Sequence, residues 1–298
     1  MMQNNDLLSL SDLTATTIET LSERAIALGD QWETRTVPDS IKGARIGSIA
    51  ELPGWRNPTA LALGIAEMGG TCVTVTAGLE GGETLEDLAA YMDNWFDLLA
   101  VRTPSIQKLR RFANALEIPI LNLRTNDNHP CEVLGDLAFT LSQRGSWDEL
   151  NIAVVGPAGN IARSWMEAAV VLPINITQIT PLEFGFSSEE LPVRMQVSTD
   201  LRMIEEADLI ITDCWPKGLS VDQKEKFERF RITSDMLDRA RPDVLFIPCP
   251  PVTRGEEVSV GAMRHPRCLA TMAKAYLMHA QNAYLETALT DRSQRVSR

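Results

Sequence analysis

Residues 151–170, NIAVVGPAGNIARSWMEAAV, decide the fold. The run NIAVV is short, apolar and β-branched. Gly156-Pro157-Ala158-Gly159 interrupts it, and 161–170 then repeats apolar residues at helical spacing. A strand that passes through a glycine turn into a helix is one unit of a parallel sheet, because the helix carries the chain back to begin the next strand in the same direction. The unit repeats on the N-terminal side. Strands at 45–50, 71–76, 98–101 and 120–123 alternate with helices at 59–68, 85–94 and 106–116, after a helix opened by Ser11, Asp12 and Thr14. On the C-terminal side, strands at 174–180, 208–212 and 243–248 alternate with helices at 199–206 and 233–240. The expected fold class is therefore α/β, with two doubly wound parallel-sheet domains of similar size. One spans 1–130 and the other 150–265. Connecting helices fall in 131–149 and 266–288, the latter packing back toward the first domain, and 289–298 reads as a loose tail.

The chain has 298 residues, enough for two ordinary domains with real cores. Its 28 Lys and Arg against 40 Asp and Glu give a net charge of -12. That field repels phosphate backbones and anionic lipid, so neither nucleic acid nor a membrane surface is an expected partner. A phosphate-binding pocket would need locally concentrated positive charge. The five cysteines are far apart with no CxxC spacing, and the three histidines form no metal-type pair, so reduced thiols and no metal cluster are expected. The N-terminus lacks a basic segment followed by an apolar one, and no window approaches the roughly 18 apolar residues of a membrane helix. The expectation is a soluble, cytoplasmic protein.

In a doubly wound sheet, ligands bind beyond the carboxyl ends of the strands. After 45–50 comes Gly54-Trp55-Arg56-Asn57-Pro58, where Asn57 reads as a helix cap, Pro58 as the first helical residue and Arg56 as a cation at an anion-attracting helix start. After 98–101 come Arg102 and Thr103; after 120–123 comes TNDNHPCE, with His129 opening a helix. GPAGN after 151–155 fails the GxGxxG spacing, which weighs against a nicotinamide enzyme. Asp213-Cys214-Trp215 and Cys249-Pro250-Pro251-Val252-Thr253-Arg254-Gly255-Glu256-Glu257 follow later strands. Convergence of these ends counts for more than any one motif. Trp165, Met166 and the apolar face of 266–288 read as packing. Glu256 and Glu257 read as helix-start charges, and Cys214 and Cys268 as small buried hydrophobes.

LxSLxDLT at 7–14, VRT at 101–103, HPCE at 129–132, TDCW at 212–215 and PCPPVTRGEEV at 248–258 resemble, in order and spacing, the aspartate/ornithine transcarbamylase family. Cys131, Cys249 and RGEE at 254–257 favour its ornithine branch. The resemblance implies a carbamoyltransferase moving a carbamoyl group from carbamoyl phosphate to an amino group of an amino acid or related amine. It also implies a homotrimer that shares active sites between subunits, and no metal or organic cofactor. By resemblance, Arg56, Arg102 and His129 are the catalytic residues. Gly54, Trp55, Arg56 and Asn57 form the phosphate loop, Arg102, Thr103 and His129 hold the carbamoyl oxygen, and Glu132 stands where the family has a Gln. Asn160, Asp213, Cys249 and Arg254 belong to the amino-acid side.

The departures are as specific as the matches. The family's Ser-Thr-Arg-Thr loop reads Gly54-Trp55-Arg56-Asn57, so its hydroxyls are gone. Expected cations fall at Pro58, Gly81 and Leu277, the His of HCLP at Pro248, and the SMG loop at Pro216-Lys217-Gly218. A charge-assisted hydrogen bond contributes about 1.5–3 kcal/mol, so losing two or three costs about two to six decades of affinity. Arg124, Lys217 and Arg163 are candidate replacements, which the sequence does not position. The bulky Trp55 indole would shrink or reshape the phosphate subsite. The competing expectation is a transcarbamylase-fold protein that does not use carbamoyl phosphate: an amino-acid-binding regulatory or partner subunit, or a transferase of another group.

Overall fold

The computed structural model describes residues 5–296, with side chains through residue 290. Residues up to Ser142 and from Ala275 onward form one compact unit, and Gln143–Lys274 a second.

In the first unit α1 (Ala15–Glu33) precedes β1 (Arg45–Ala50), α2 (Arg56–Glu67), β2 (Thr71–Val75), α3 (Leu85–Trp95), β3 (Leu98–Arg102), α4 (Ile106–Ala115), β4 (Ile120–Arg124) and α5 (Pro130–Arg144). The sheet is parallel with order β2-β1-β3-β4. Its central strands are buried, β1 except at its two ends and LLAVR of β3 throughout, because helices cover both faces. Ile49, Leu99, Val101 and Ile120 pack with Met92 of α3 and Phe112 of α4. Each such side chain contributes about 1.5–3 kcal/mol when removed from water. Hydroxyl caps start the helices where the chain leaves the sheet: Thr14, Thr84 and Ser105 accept from the backbone N–H three residues on.

The second unit contains β5 (Asn151–Val155), α6 (Asn160–Val171), β6 (Asn175–Ile179), β7 (Met195–Ser198), β8 (Leu209–Thr212), α7 (Val221–Glu228), α8 (Ser234–Arg239) and β9 (Leu245–Pro248). Its parallel sheet has order β7-β6-β5-β8-β9. Val155, Ile179, Ile210 and Phe246 form its core. The long α9 (Ala270–Val296) closes the chain.

Several sequence expectations need correction. β7 and α7 are additional elements, and 199–206 holds a six-residue 3-10 helix over Leu201–Glu206 rather than an α-helix. α9 continues to Val296, across most of the expected tail; residues 297 and 298 lie outside the described residues. The connecting segments were expected at 131–149 and 266–288. The unit boundaries fall within those two spans, close to the end of α5 and inside α9.

Candidate active site

Both sheets reverse their winding direction once, between β1 and β3 and between β5 and β8. A crevice opens at such a point because the flanking helices depart to opposite faces. The sequence-selected residues gather at these two places.

In the first unit, Arg102 ends β3 and is only 6% exposed. Its Nε donates to the Leu52 carbonyl at 3.1 Å and its Nη2 to the Pro53 carbonyl at 2.5 Å. The loop can lie so close because position 54 is glycine: a Cβ there would stand 2.6 Å from Arg102 Nη2, and its φ of +141° excludes ordinary side chains. Burial, and next the charge of Arg124, hold the Arg102 guanidinium below its usual range, against the opposing pull of Glu132. The Thr103 hydroxyl donates to Glu51 Oε2, and the Glu80 N–H reaches Glu51 Oε1 at 3.4 Å. Glu51, which no spacing signal marks, thus ties the β1 end to Thr103 and to the 78–84 turn.

Asn57 does not cap α2. It lies inside the helix, whose N-cap is Trp55 with no side-chain hydrogen bond. The Asn57 side chain is 3% exposed: Oδ1 accepts from Gln281 Nε2 at 2.6 Å, and Nδ2 approaches His129 Nε2 at 3.3 Å. With Gln281 Nε2 on its Oδ1, the Asn57 amide turns Nδ2 toward His129 Nε2. His129 Nε2 also lies 3.8 Å from Glu132 Oε2. Asn122 and Thr125 both donate to Asn128 Oδ1, and Asn128 Nδ2 donates to the Leu8 carbonyl, which holds the turn that presents His129. Cys131 is a packing residue; its thiol donates to the Asn122 carbonyl at 3.2 Å and burial pushes its ionisation far up.

Trp55 does not occupy the subsite. Its ring is 68% exposed, and the Arg56 guanidinium stacks over it at 5.1 Å. Gly54, Asn57, Arg102, Thr103, His129 and Glu132 therefore form one strand-end cluster, and Arg56 stands at its exposed edge.

In the second unit, Val155 pairs with Thr212 and Thr212 with Pro248, so Gly156, Asp213 and Cys249 follow three neighbouring strands at one level. An added Cβ at Gly159 would stand 3.1 Å from Asp213 Oδ2, tight enough that the missing side chain makes room for this aspartate, whereas Gly156 is favoured by its φ of +154° and would meet the Asp213 backbone only at an ordinary 3.4 Å. Asn160 begins α6 directly after them. Arg254 is apart, exposed in the 254–258 turn. A cavity of about 360 Å³ is lined by Trp215, Pro216, Lys217, Pro251, Thr253 and other residues, but not by Asn160, Asp213, Cys249 or Arg254. Glu257 is not a helix-start charge: it is 2% exposed, its Oε1 accepts from Thr253 N at 2.6 Å, and burial, then Glu256 and Asp213, raise its ionisation. Glu256 pairs with Lys224. Cys214 is exposed rather than buried.

Residues 5–142 match the family model described as aspartate/ornithine carbamoyltransferase, carbamoyl-P binding domain, and residues 148–288 the model of the Asp/Orn binding domain. The chain belongs to the aspartate/ornithine carbamoyltransferase family. It is 30% identical to an ornithine carbamoyltransferase of Psychrobacter sp. (strain PRwf-1), over 98% of this chain and 99% of that one. It is 29% identical to one of Acinetobacter baylyi, over 97% and 98%. Among solved structures, the ornithine carbamoyltransferase of Burkholderia thailandensis superposes with a TM-score of 0.89 at 27% identity, over 96% of this chain and 98% of that chain. That of Pyrococcus furiosus shares the fold, with a TM-score of 0.88 at 24% identity over 94% and 95%.

The positions where the family resemblance leads one to expect cations have other uses here. Leu277 is buried on α9, where its backbone nitrogen would be 2.9 Å from a Cβ at Gly135 of α5, so small and apolar residues serve a close helix crossing. Gly81 closes a turn onto the Gly78 carbonyl, and the neighbouring Glu80 pairs with Lys108. Of the candidate replacements, Arg163 pairs with Glu190, Lys217 lines the second unit's cavity, and Arg124 lies near Arg102.

Proposed function

We propose that the chain is a carbamoyltransferase of the ornithine type, transferring the carbamoyl group of carbamoyl phosphate to an amino group of an amino acid or related amine. The amine lone pair attacks the carbamoyl carbon and forms the C–N bond. The tetrahedral oxyanion then collapses, the bond between the carbamoyl carbon and the bridging phosphate oxygen breaks, and hydrogen phosphate leaves with the proton given up by nitrogen.

In this reading Arg102, Thr103 and His129 address the carbamoyl oxygen. The positive charge that stabilises the oxyanion comes from Arg102. Arg56, at the exposed start of α2 beside Gly54, Trp55 and Asn57, takes the phosphate. Glu132 accepts from the carbamoyl NH₂. Asp213 attracts the amine, with Asn160, Cys249 and Arg254 contacting the rest of the amino acid. The protein is cytoplasmic and trimeric in this account. Five free thiols support the first, and the open edge strand β2, with exposed Val73, Tyr91 and Trp95 about a 490 Å³ groove, supports the second.

The observation that carries the proposal is the strand-end cluster of Arg102, Thr103, His129 and Asn57, within the residues that match the carbamoyl-P binding domain. One observation favours the competing reading, an amino-acid-binding protein that does not use carbamoyl phosphate: Arg102 already gives two of its donors to loop carbonyls. Calorimetry with carbamoyl phosphate, followed by a ureido-product colour screen across amino acids, separates them. Micromolar binding with turnover on any amine is the expected result. Silence toward carbamoyl phosphate together with binding of an amino acid alone selects the competitor.

A further inference from the structure

Arg124 is the last residue of β4, and its Cα pairs with that of Arg102, the last residue of β3, across a register shift between Val101 and Arg102. The two residues therefore end neighbouring parallel strands at the same edge of the sheet, where the loops of the first unit's site begin. The Arg124 carbonyl accepts from Thr103 N at 3.1 Å, which anchors its backbone to the residue beside Arg102. Its side chain is half-buried and, among the described residues, makes no ion pair. Its charge acts on Arg102, which it pushes toward the neutral form. In a chain with 40 Asp and Glu and a net charge of -12, Arg124 lies close enough to Arg102 for the two positive charges to act on each other. Two guanidinium groups at short range repel, and an oxyanion between them turns that repulsion into two charge-assisted attractions.

We infer that Arg124 is an anion-binding residue of the first unit's site, acting with Arg102 on an oxyanion group of a substrate, either a phosphate or a carboxylate. The inference rests on the carbamoyltransferase reading and names what supplies part of the positive charge absent at Pro58, Gly81 and Leu277. Arg124 is then a specificity residue, since a planar two-pronged donor at this strand end selects for a ligand with paired anionic oxygens.

The test uses the full chain as parent, Arg124→Met and Arg124→Lys. Each is titrated calorimetrically with carbamoyl phosphate and with inorganic phosphate, and amine KM and kcat are measured at two salt concentrations. If the group is phosphate, Arg124→Met weakens both phosphate ligands about 10- to 100-fold and flattens their salt dependence, with amine KM unchanged. If the group is a carboxylate of the acceptor, amine KM rises by a similar factor and phosphate affinity stays. Either result supports the inference, and Arg124→Lys recovers part of the loss in the affected arm. Should Arg124→Met melt early, Arg124→Lys, which keeps the charge and stem but loses the fork, gives the same reading at smaller amplitude. Unchanged affinities, KM and kcat in both variants overturn the inference. A parent that ignores carbamoyl phosphate but binds an amino acid contradicts the carbamoyltransferase reading instead, and the amino-acid arm still tests Arg124.

Discussion

The two winding reversals are built alike and charged oppositely. In the first unit, Gly54 follows the β1 end and lies against the guanidinium of Arg102 at the end of β3. In the second, Gly156 and Gly159 follow β5 and lie against Asp213, just past the end of β8. At Gly54 and Gly159 a missing Cβ lets a loop approach the charged residue at the neighbouring strand end. The fold thus supplies the position, and in the proposed reading the sign of the residue selects the ligand: a cation for a phosphate-bearing donor, a carboxylate for an amine.

The largest expected effect comes from removing the cation. Arg102→Met lowers carbamoyl transfer by about three decades and leaves the Leu52 and Pro53 carbonyls without a donor, at a stability cost of about 1–3 kcal/mol, read by steady-state kinetics and urea unfolding. Asp213→Asn comes next, with amine KM raised about 100-fold and the carbamoyl phosphate Kd unchanged. A matching loss of carbamoyl phosphate affinity would break the division of labour between the units. The glycines sharpen the same contrast. Gly54→Ala displaces Arg102 from the Pro53 carbonyl and weakens carbamoyl phosphate about tenfold, while Gly159→Ala, with 3.1 Å available before Asp213 Oδ2, changes amine KM only about two- to threefold.

The smallest effect on activity, but a distinct one on stability, concerns His279 in the first unit. Burial depresses its ionisation to about 4 from an ordinary 6.5. The unfolded chain then binds the extra proton first, so stability present above pH 6.5 is lost as pH falls toward 4, by about 1.4 kcal/mol per pH unit. Asp6, raised by burial to about 6, acts in the opposite direction, gaining stability as pH falls from 6 toward 4. His279→Gln should therefore hold its stability better than the parent between pH 6.5 and 4, and Asp6→Asn worse, as measured by urea midpoints across that range.

Much of this architecture is legible in the sequence for a plain reason. Strands buried on both faces, such as 98–102 and 209–212, read as unbroken apolar runs, and hydroxyl caps mark the helices between them. β7, MQVS, escapes that signal because it is a half-buried edge strand, and α7 because only Phe227 is buried on it. The site divides the same way. Arg102, Thr103 and Asp213 are visible as polar residues at strand ends, and His129 as the residue before a helix. Glu51, Gln281 and Glu257 are single polar residues whose partners lie 29 or more positions away or inside a turn, and spacing carries no trace of them. Asn57 was misleading because a cap and a buried amide bridge use the same residue type at the same helix end.

The measurement that bears most directly on the charge assignment is carbon NMR of the full chain incubated with ¹³C-carbamoyl phosphate and a panel of amino acids, with inorganic phosphate assayed in parallel. The account predicts a new ureido carbonyl resonance with one amine, appearing in equal amount with phosphate and abolished by both Arg102→Met and Asp213→Asn. Phosphate release no faster than spontaneous decay with every amine, or a ureido product that persists undiminished in Arg102→Met, would contradict it.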